Sequence, residues 1–247
     1  MIENKLALFF PDYDEHLKKI SSGETRFAYY TSADTAMKVI RNEEIWLRNT
    51  QGMNDFLEVE HGFESLRKAF KESKEGKSFQ NFINTKFPGT MKKVFDLFDG
   101  WLPTLRTQTY IACVTVHGDR EDEYGRLSMW RAYGGARPVA LVFNSSPFQN
   151  DSSALNATFY PVTYSDDGYV RKHLADLEAR MNDNEELMAS FGSDELLGWL
   201  FELCKMMALC VKHPGFEEEQ EWRLIYTPEI EHSPHVEGSI QTIGGVP

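Results

Sequence analysis

The chain has 247 residues, 38 acidic and 26 basic, for a net charge of −12 at pH 7. Its length suits one large domain or two small ones, and a hydrophobic fraction of 41% with 13% aromatics suits a packed core. The negative charge repels phosphate backbones and argues against non-specific DNA binding.

The N-terminus carries a short apolar patch, Leu6 to Pro11, behind Glu3 and without a small-residue cleavage site, which makes it a poor signal peptide. No stretch approaches the ~20 apolar residues that span a bilayer. Three cysteines, Cys113, Cys204 and Cys210, cannot build a disulfide framework. A cytoplasmic protein with no membrane partner is the expectation.

In chain order, "FAYYT" (Phe27–Thr31) reads as a strand, after which Ser32 or Asp34 can cap a helix carrying Ala36, Met37 and Ile40 on one face. "EIWLRN" reads as the next strand and "TQGMND" as a loop. Phe56, Val59, Phe63, Leu66 and Phe70 draw the apolar stripe of a helix. Two more helical stretches follow, with Phe79, Phe82 and Ile83 in one and Met91, Val94, Phe95 and Phe98 in the other, parted by Pro88 and Gly89. "TYIACVTV" is a buried strand, "LSMWRAYGG" a short helix, "PVALVFN" a strand, and "ATFYPVTYS" a strand interrupted by Pro161. Two long helices come next, one marked by Val170, Leu174, Leu177 and Met181 and the other by Leu196 to Val211. "EWRLIY" is a late strand, and "SIQTIGGVP" reads as the start of one more, so a last strand is expected to be missing. Strands scattered among helices without regular alternation predict an α+β fold in a single domain, with its core at about 27–226.

Neither G-x-G-x-x-G nor G-x-x-x-x-G-K-[ST] occurs, so the glycines do not read as phosphate loops. "HSPH" (His232 to His235) lacks the partner motif a zinc site needs, and no G-x-S-x-G elbow is present. No metal site is expected.

Four stretches can carry chemistry. In "YYTS", Tyr29 and Tyr30 point to opposite faces, so one can be core while the other stacks on a flat ligand, with Thr31 beside it. Asn54 and Asp55 leave a strand end in a polar loop, where they can serve turn and cap or contact a ligand. Ser128, Trp130 and Tyr133 lie within about one and a half helical turns, as core or as the wall of a pocket with a hydroxyl in it. In "FEEEQEWRLIY", Trp222, Leu224 and Tyr226 share one strand face, and Glu221, Arg223 and Ile225 share the other; Glu219 joins them if the strand extends back. A carboxylate beside a guanidinium stays ionised, whether as a structural ion pair or at a site.

In order, "YYTSADTAMKVIRNEEIWLRNTQGMNDFLEVEHG", "LSMWRAYGG" with "PVALVFN", and "EEQEWRLIY" resemble the bacterial family catalogued as domain of unknown function 2971, over about Phe27 to Tyr226. More distantly, an aromatic-rich strand, a helix, a strand and a late E-x-E resemble ADP-ribosyltransferases. That resemblance implies a split, mixed or antiparallel β-sheet with helical insertions. It also implies NAD as substrate, held in the cleft of the split sheet, and transfer of ADP-ribose to an unknown macromolecular acceptor, as in a bacterial toxin or phage-defence effector. By position, Tyr30 replaces the His of one class, Trp130 or Tyr133 would clamp the nicotinamide, Glu221 would be the catalytic carboxylate, and Glu219 would orient or activate the acceptor. Ser128 stands where a middle Ser/Thr motif would be, which is otherwise not clearly present. Two further readings are a non-catalytic module that senses a nucleotide or binds a protein, and a nuclease gathering Mg²⁺ with Asp55, Glu58, Glu219 and Glu221.

Overall fold

A computed structural model describes residues 2–23, 25–52, 56–133, 137–146, 155–166 and 168–239. Two short helices open the chain, α1 (Ile2–Phe9) and α2 (Pro11–Ser21), with Pro11 in the first turn of α2, where its missing N–H costs nothing. Then come β1 (Arg26–Ser32), α3 (Ala33–Asn42), β2 (Arg48–Asn49) and three helices, α4 (Phe56–Glu72), α5 (Lys74–Lys86) and α6 (Thr90–Thr107). β3 (Tyr110–His117), α7 (Leu127–Tyr133), β4 (Pro138–Asn144), β5 (Thr158–Pro161) and β6 (Thr163–Tyr164) follow. The chain continues through α8 (Gly168–Asp183), α9 (Glu185–Ala189), α10 (Ser193–Leu209), β7 (Val211–Lys212) and β8 (Glu221–Tyr226).

This is a mixed α+β structure. The main sheet runs β4-β1-β3-β8-β5 with every pairing antiparallel, and β2 pairs with the same edge of β3 that β1 uses. A separate parallel pair joins β6 to β7. β1 holds β3 only from Arg26↔His117 to Ala28↔Thr115, while β2 takes β3 at Ile111 and Tyr110. From Tyr29 to Ser32, β1 stays with β4 alone. The sheet therefore splits beside Ala112 to Val114.

The two sheet faces have different coats. Phe27, Ala112, Val114, Trp222 and Leu224 share a face and pack with Ile20 of α2 and Phe159. The other face presents Ile111 and Ile225 to a helical core that includes Val59, Phe63, Leu66 and Phe70 of α4 and Leu200, Leu203 and Met207 of α10. From Leu200 to Leu209 α10 is mostly apolar and buried nearly all round, whereas its first turns are partly exposed. The alternation read from "EWRLIY" is thus the alternation observed.

Three local expectations change. "EIWLRN" contributes only Arg48 and Asn49 to the sheet; Glu43 caps α3 in a left-handed conformation and Trp46 Nε1 donates to Glu44, so the chain turns before it pairs. "ATFYPVTYS" is two strands in two sheets: β5 pairs with β8 through Pro161, whose nitrogen faces away from β8, and the Val162 amide still donates to the Glu221 carbonyl at 2.9 Å before the Thr163 amide turns to the Cys210 carbonyl beside β7. Ser32 does cap α3, accepting from the Thr35 amide at 3.2 Å, but of the predicted stripe only Ala36 is buried, while Met37 and Ile40 are 47% and 60% exposed. The expected strand in "SIQTIGGVP" lies, after Ser239, outside the described residues.

Candidate functional site

The charged residues of the split sheet meet on the face opposite Phe27 and Trp222. Ala28 pairs with Thr115 and Thr115 with Glu221, so β1, β3 and β8 place these side chains in one row. The next row of β3 and β8 sets Cys113 beside Arg223. Tyr30 is two residues along β1 from Ala28 and shares its face.

Glu219 ends a 3-10 turn, Pro214–Glu219, and Glu221 begins β8; Gln220 between them is left-handed, with φ 45° and ψ 49°. That reversal brings both carboxylates to one cation. Lys212 Nζ, fully buried, donates to Glu219 Oε2 at 2.7 Å and to Glu221 Oε2 at 3.1 Å. Arg223 Nε donates to Glu221 Oε1 at 2.7 Å, and its Nη1 to the Leu209 carbonyl at 2.5 Å. The Glu221 amide donates to the Tyr164 hydroxyl at 2.6 Å. Glu221 is only 2% exposed, and burial alone would push its carboxyl up. Arg223 and Lys212 outweigh that and hold it down at about 2. The arrangement keeps a buried carboxylate ionised, which a site that stabilises a developing cation requires.

Tyr30, 4% exposed, joins this cluster through Arg126. The Arg126 amide donates to the Tyr30 hydroxyl at 2.8 Å, and Arg126 Nη1 donates to the Glu219 carbonyl at 2.7 Å. Trp130 stands edge-on to Tyr30, with ring centroids 4.6 Å apart. Trp130, Tyr133 and Ala140 pack around Ala28, Tyr30 and Met129 as a small cluster of their own. Trp130 also donates to the Tyr124 carbonyl at 2.7 Å.

Of the predicted site residues, Tyr30, Trp130, Tyr133, Glu219, Glu221 and Arg223 thus fall into one connected region. Thr31 alternates to the opposite sheet face, beside Tyr29. The Ser128 hydroxyl is buried on α7 with no hydrogen bond among the described residues. Asn54 and Asp55 lie outside the described residues, and so does the Glu58 side chain. Among the described residues no group of His, Cys, Asp or Glu side chains could hold a metal ion. A small cavity lined by Tyr160, Tyr169, His173 and Cys210 includes none of the predicted site residues.

Sequence reasoning missed Lys212, Arg126, Thr115 and Tyr164. Lys212 carried a signal: it is a lone cation following the apolar run that ends at Cys210 and Val211. Arg126 carried none, since it sits in a polar loop among other charges.

Residues 129–224 match the model of a family described as a protein of unknown function (DUF2971). That segment, less than half the chain, holds "MWRAYGG" and the Glu219–Glu221 strand start, but not "YYTS". No curated protein and no solved structure matches the chain. No described helix is long and apolar enough to cross a membrane.

Proposed function

We propose that the chain is an ADP-ribosyltransferase-like enzyme that cleaves NAD and transfers ADP-ribose to a macromolecular acceptor. The observation that carries this reading is the pair Glu219 and Glu221, converging on Lys212 at the start of β8, one strand away from the point where β1 parts from β3. NAD would lie along that split. Tyr30, Trp130 and Tyr133 would supply the aromatic contacts. Glu221 would accept a hydrogen bond from a hydroxyl of the nicotinamide ribose as the bond to nicotinamide breaks, offsetting the positive charge that grows on the sugar. Arg223 holds one Glu221 oxygen and Lys212 the other, so the ribose hydroxyl would take a further acceptor position on one of them. Glu219, the other carboxylate held by Lys212, would then face the acceptor.

The burial of Glu221 favours a second reading, a nucleotide-sensing or protein-binding module in which the charge cluster is structural. Incubation with labelled NAD and cell extract separates the two. The transferase predicts label on an acceptor and release of nicotinamide, both lost in Glu221→Ala. Binding of NAD without product supports the module, and absence of both binding and turnover sinks the NAD reading altogether.

A further inference from the structure

The guanidinium of Arg126 is buried and spends itself on one small region. Nε donates to Glu121 Oε1 at 2.7 Å. Nη1 donates to Thr115 Oγ1 at 2.6 Å and to the Glu219 carbonyl at 2.7 Å. Nη2 donates to the Val116 carbonyl at 3.0 Å and to Gln220 Oε1 at 3.1 Å. Thr115 Oγ1 donates in turn to the same Glu219 carbonyl. The Val116 amide donates to the Gln220 carbonyl at 3.1 Å, so the fork lies across the rung that ties the turn to β3.

We propose that Arg126 is the positioning residue for the two carboxylates, fixing the left-handed turn at Gln220 that aims both Glu219 and Glu221 at Lys212. A non-glycine residue in that conformation is disfavoured and persists only where its surroundings over-determine it. Arg126 does so with a planar fork whose geometry a lysine cannot reproduce. Its backbone amide, on the Tyr30 hydroxyl, anchors the same fork to β1. None of its hydrogen-bond acceptors belongs to the helical core, so loss of the fork relaxes the turn rather than the fold.

The kinetic half of the test rests on the transferase reading; the structural half does not. Wild type, Arg126→Lys and Glu221→Gln are compared in NAD turnover and in backbone hydrogen exchange. In Arg126→Lys, exchange is expected to rise at the amides of Val116, Gln220 and Glu221, while the amides of α4 and α10 keep wild-type protection. Its kcat is expected to fall on the order of 100-fold with KM within about threefold, the signature of misplaced groups rather than lost binding. Should Arg126→Lys loosen the whole chain, Glu121→Gln, which removes the carboxylate that faces both Nε and Nη2 of Arg126 and accepts from the Gly118 amide, is expected to show the same local exchange at smaller amplitude. Wild-type exchange at those three amides in the folded variants overturns the proposal, as does wild-type kcat in a protein that turns over NAD. If wild type and Glu221→Gln are both inactive, the transferase reading falls and exchange alone decides the role of Arg126.

Discussion

At the scale of single residues, two buried groups contribute to how the protein responds to acid. His173 of α8 is buried, with Nε2 donating to the Phe9 carbonyl at 3.1 Å at the end of α1. Burial, with Arg180 nearby, pushes its pKa down from 6.5 to about 4. The unfolded chain therefore takes up a proton below pH 6.5 that the folded chain refuses until about pH 4. Stability is full above pH 6.5 and falls through that window, by about 3 kcal/mol at most. Glu221 acts in a lower window: its carboxylate, held at about 2 against an ordinary 4.5, contributes stability above pH 4.5 that is lost as pH falls toward 2. Urea unfolding from pH 7 to pH 3 should show two successive declines. Replacing His173 with Gln should flatten the first and leave the second in place; an unchanged first decline would assign it to another group.

At the scale of elements, backbone contact decides more than side-chain pattern. A Cβ at Gly62 of α4 would lie 2.1 Å from the Ala208 carbonyl oxygen of α10, and backbone there cannot step aside. Gly198 on α10 meets nothing within 4 Å and sits on an exposed helical turn. Gly62→Ala is therefore expected to destabilise by at least about 1–3 kcal/mol. Gly198→Ala should stabilise by about 0.5–1 kcal/mol, a rise in Tm of roughly 1–4 °C for a chain of this size. Differential scanning calorimetry on the pair gives shifts of opposite sign if the helices cross as described. The helices of this core were legible as stripes, since Val59, Phe63, Leu66 and Phe70 recur at helical spacing and all turn out buried. The face assignment along β8 was legible too, because alternation has a period of two whatever the strand pairs with. What could not be read is non-local. The pairing that splits β1 from β3, and the Arg126 bonds across 93 residues to Glu219 and 96 to Tyr30, depend on which strands meet. No local period encodes that. The left-handed Gln220 was hidden for a related reason: glutamine gives no turn signal, and its conformation is imposed by contacts from elsewhere in the chain.

At the scale of the whole molecule, the split in the sheet and the distribution of thiols combine into a direct measurement. Cys204 and Cys210 are buried on and just after α10, and burial pushes both thiols up to about 12, which leaves little thiolate to react at neutral pH. Cys113 is half-buried and sits on β3 between the segment paired by β1 and the segment paired by β2, beside Arg223. Solvent that reaches Cys113 from that edge of β3 comes through the gap between the strands. Maleimide applied to the native protein should therefore label one thiol well before the other two, peptide mapping should place it at Cys113, and denaturant should bring all three to the same rate. If NAD occupies the split and Glu221 reaches it from β8 across β3, saturating NAD should slow labelling of Cys113 in wild type and protect less well in Glu221→Ala. Uniform slow labelling of all three thiols would mean that the split is closed to solvent, and the route proposed for the ligand would then be wrong. Selective labelling that NAD leaves untouched would keep the gap open as a surface but remove NAD from it, returning the buried charges of Glu219, Glu221, Lys212 and Arg223 to the task of holding β7, the 3-10 turn and β8 together.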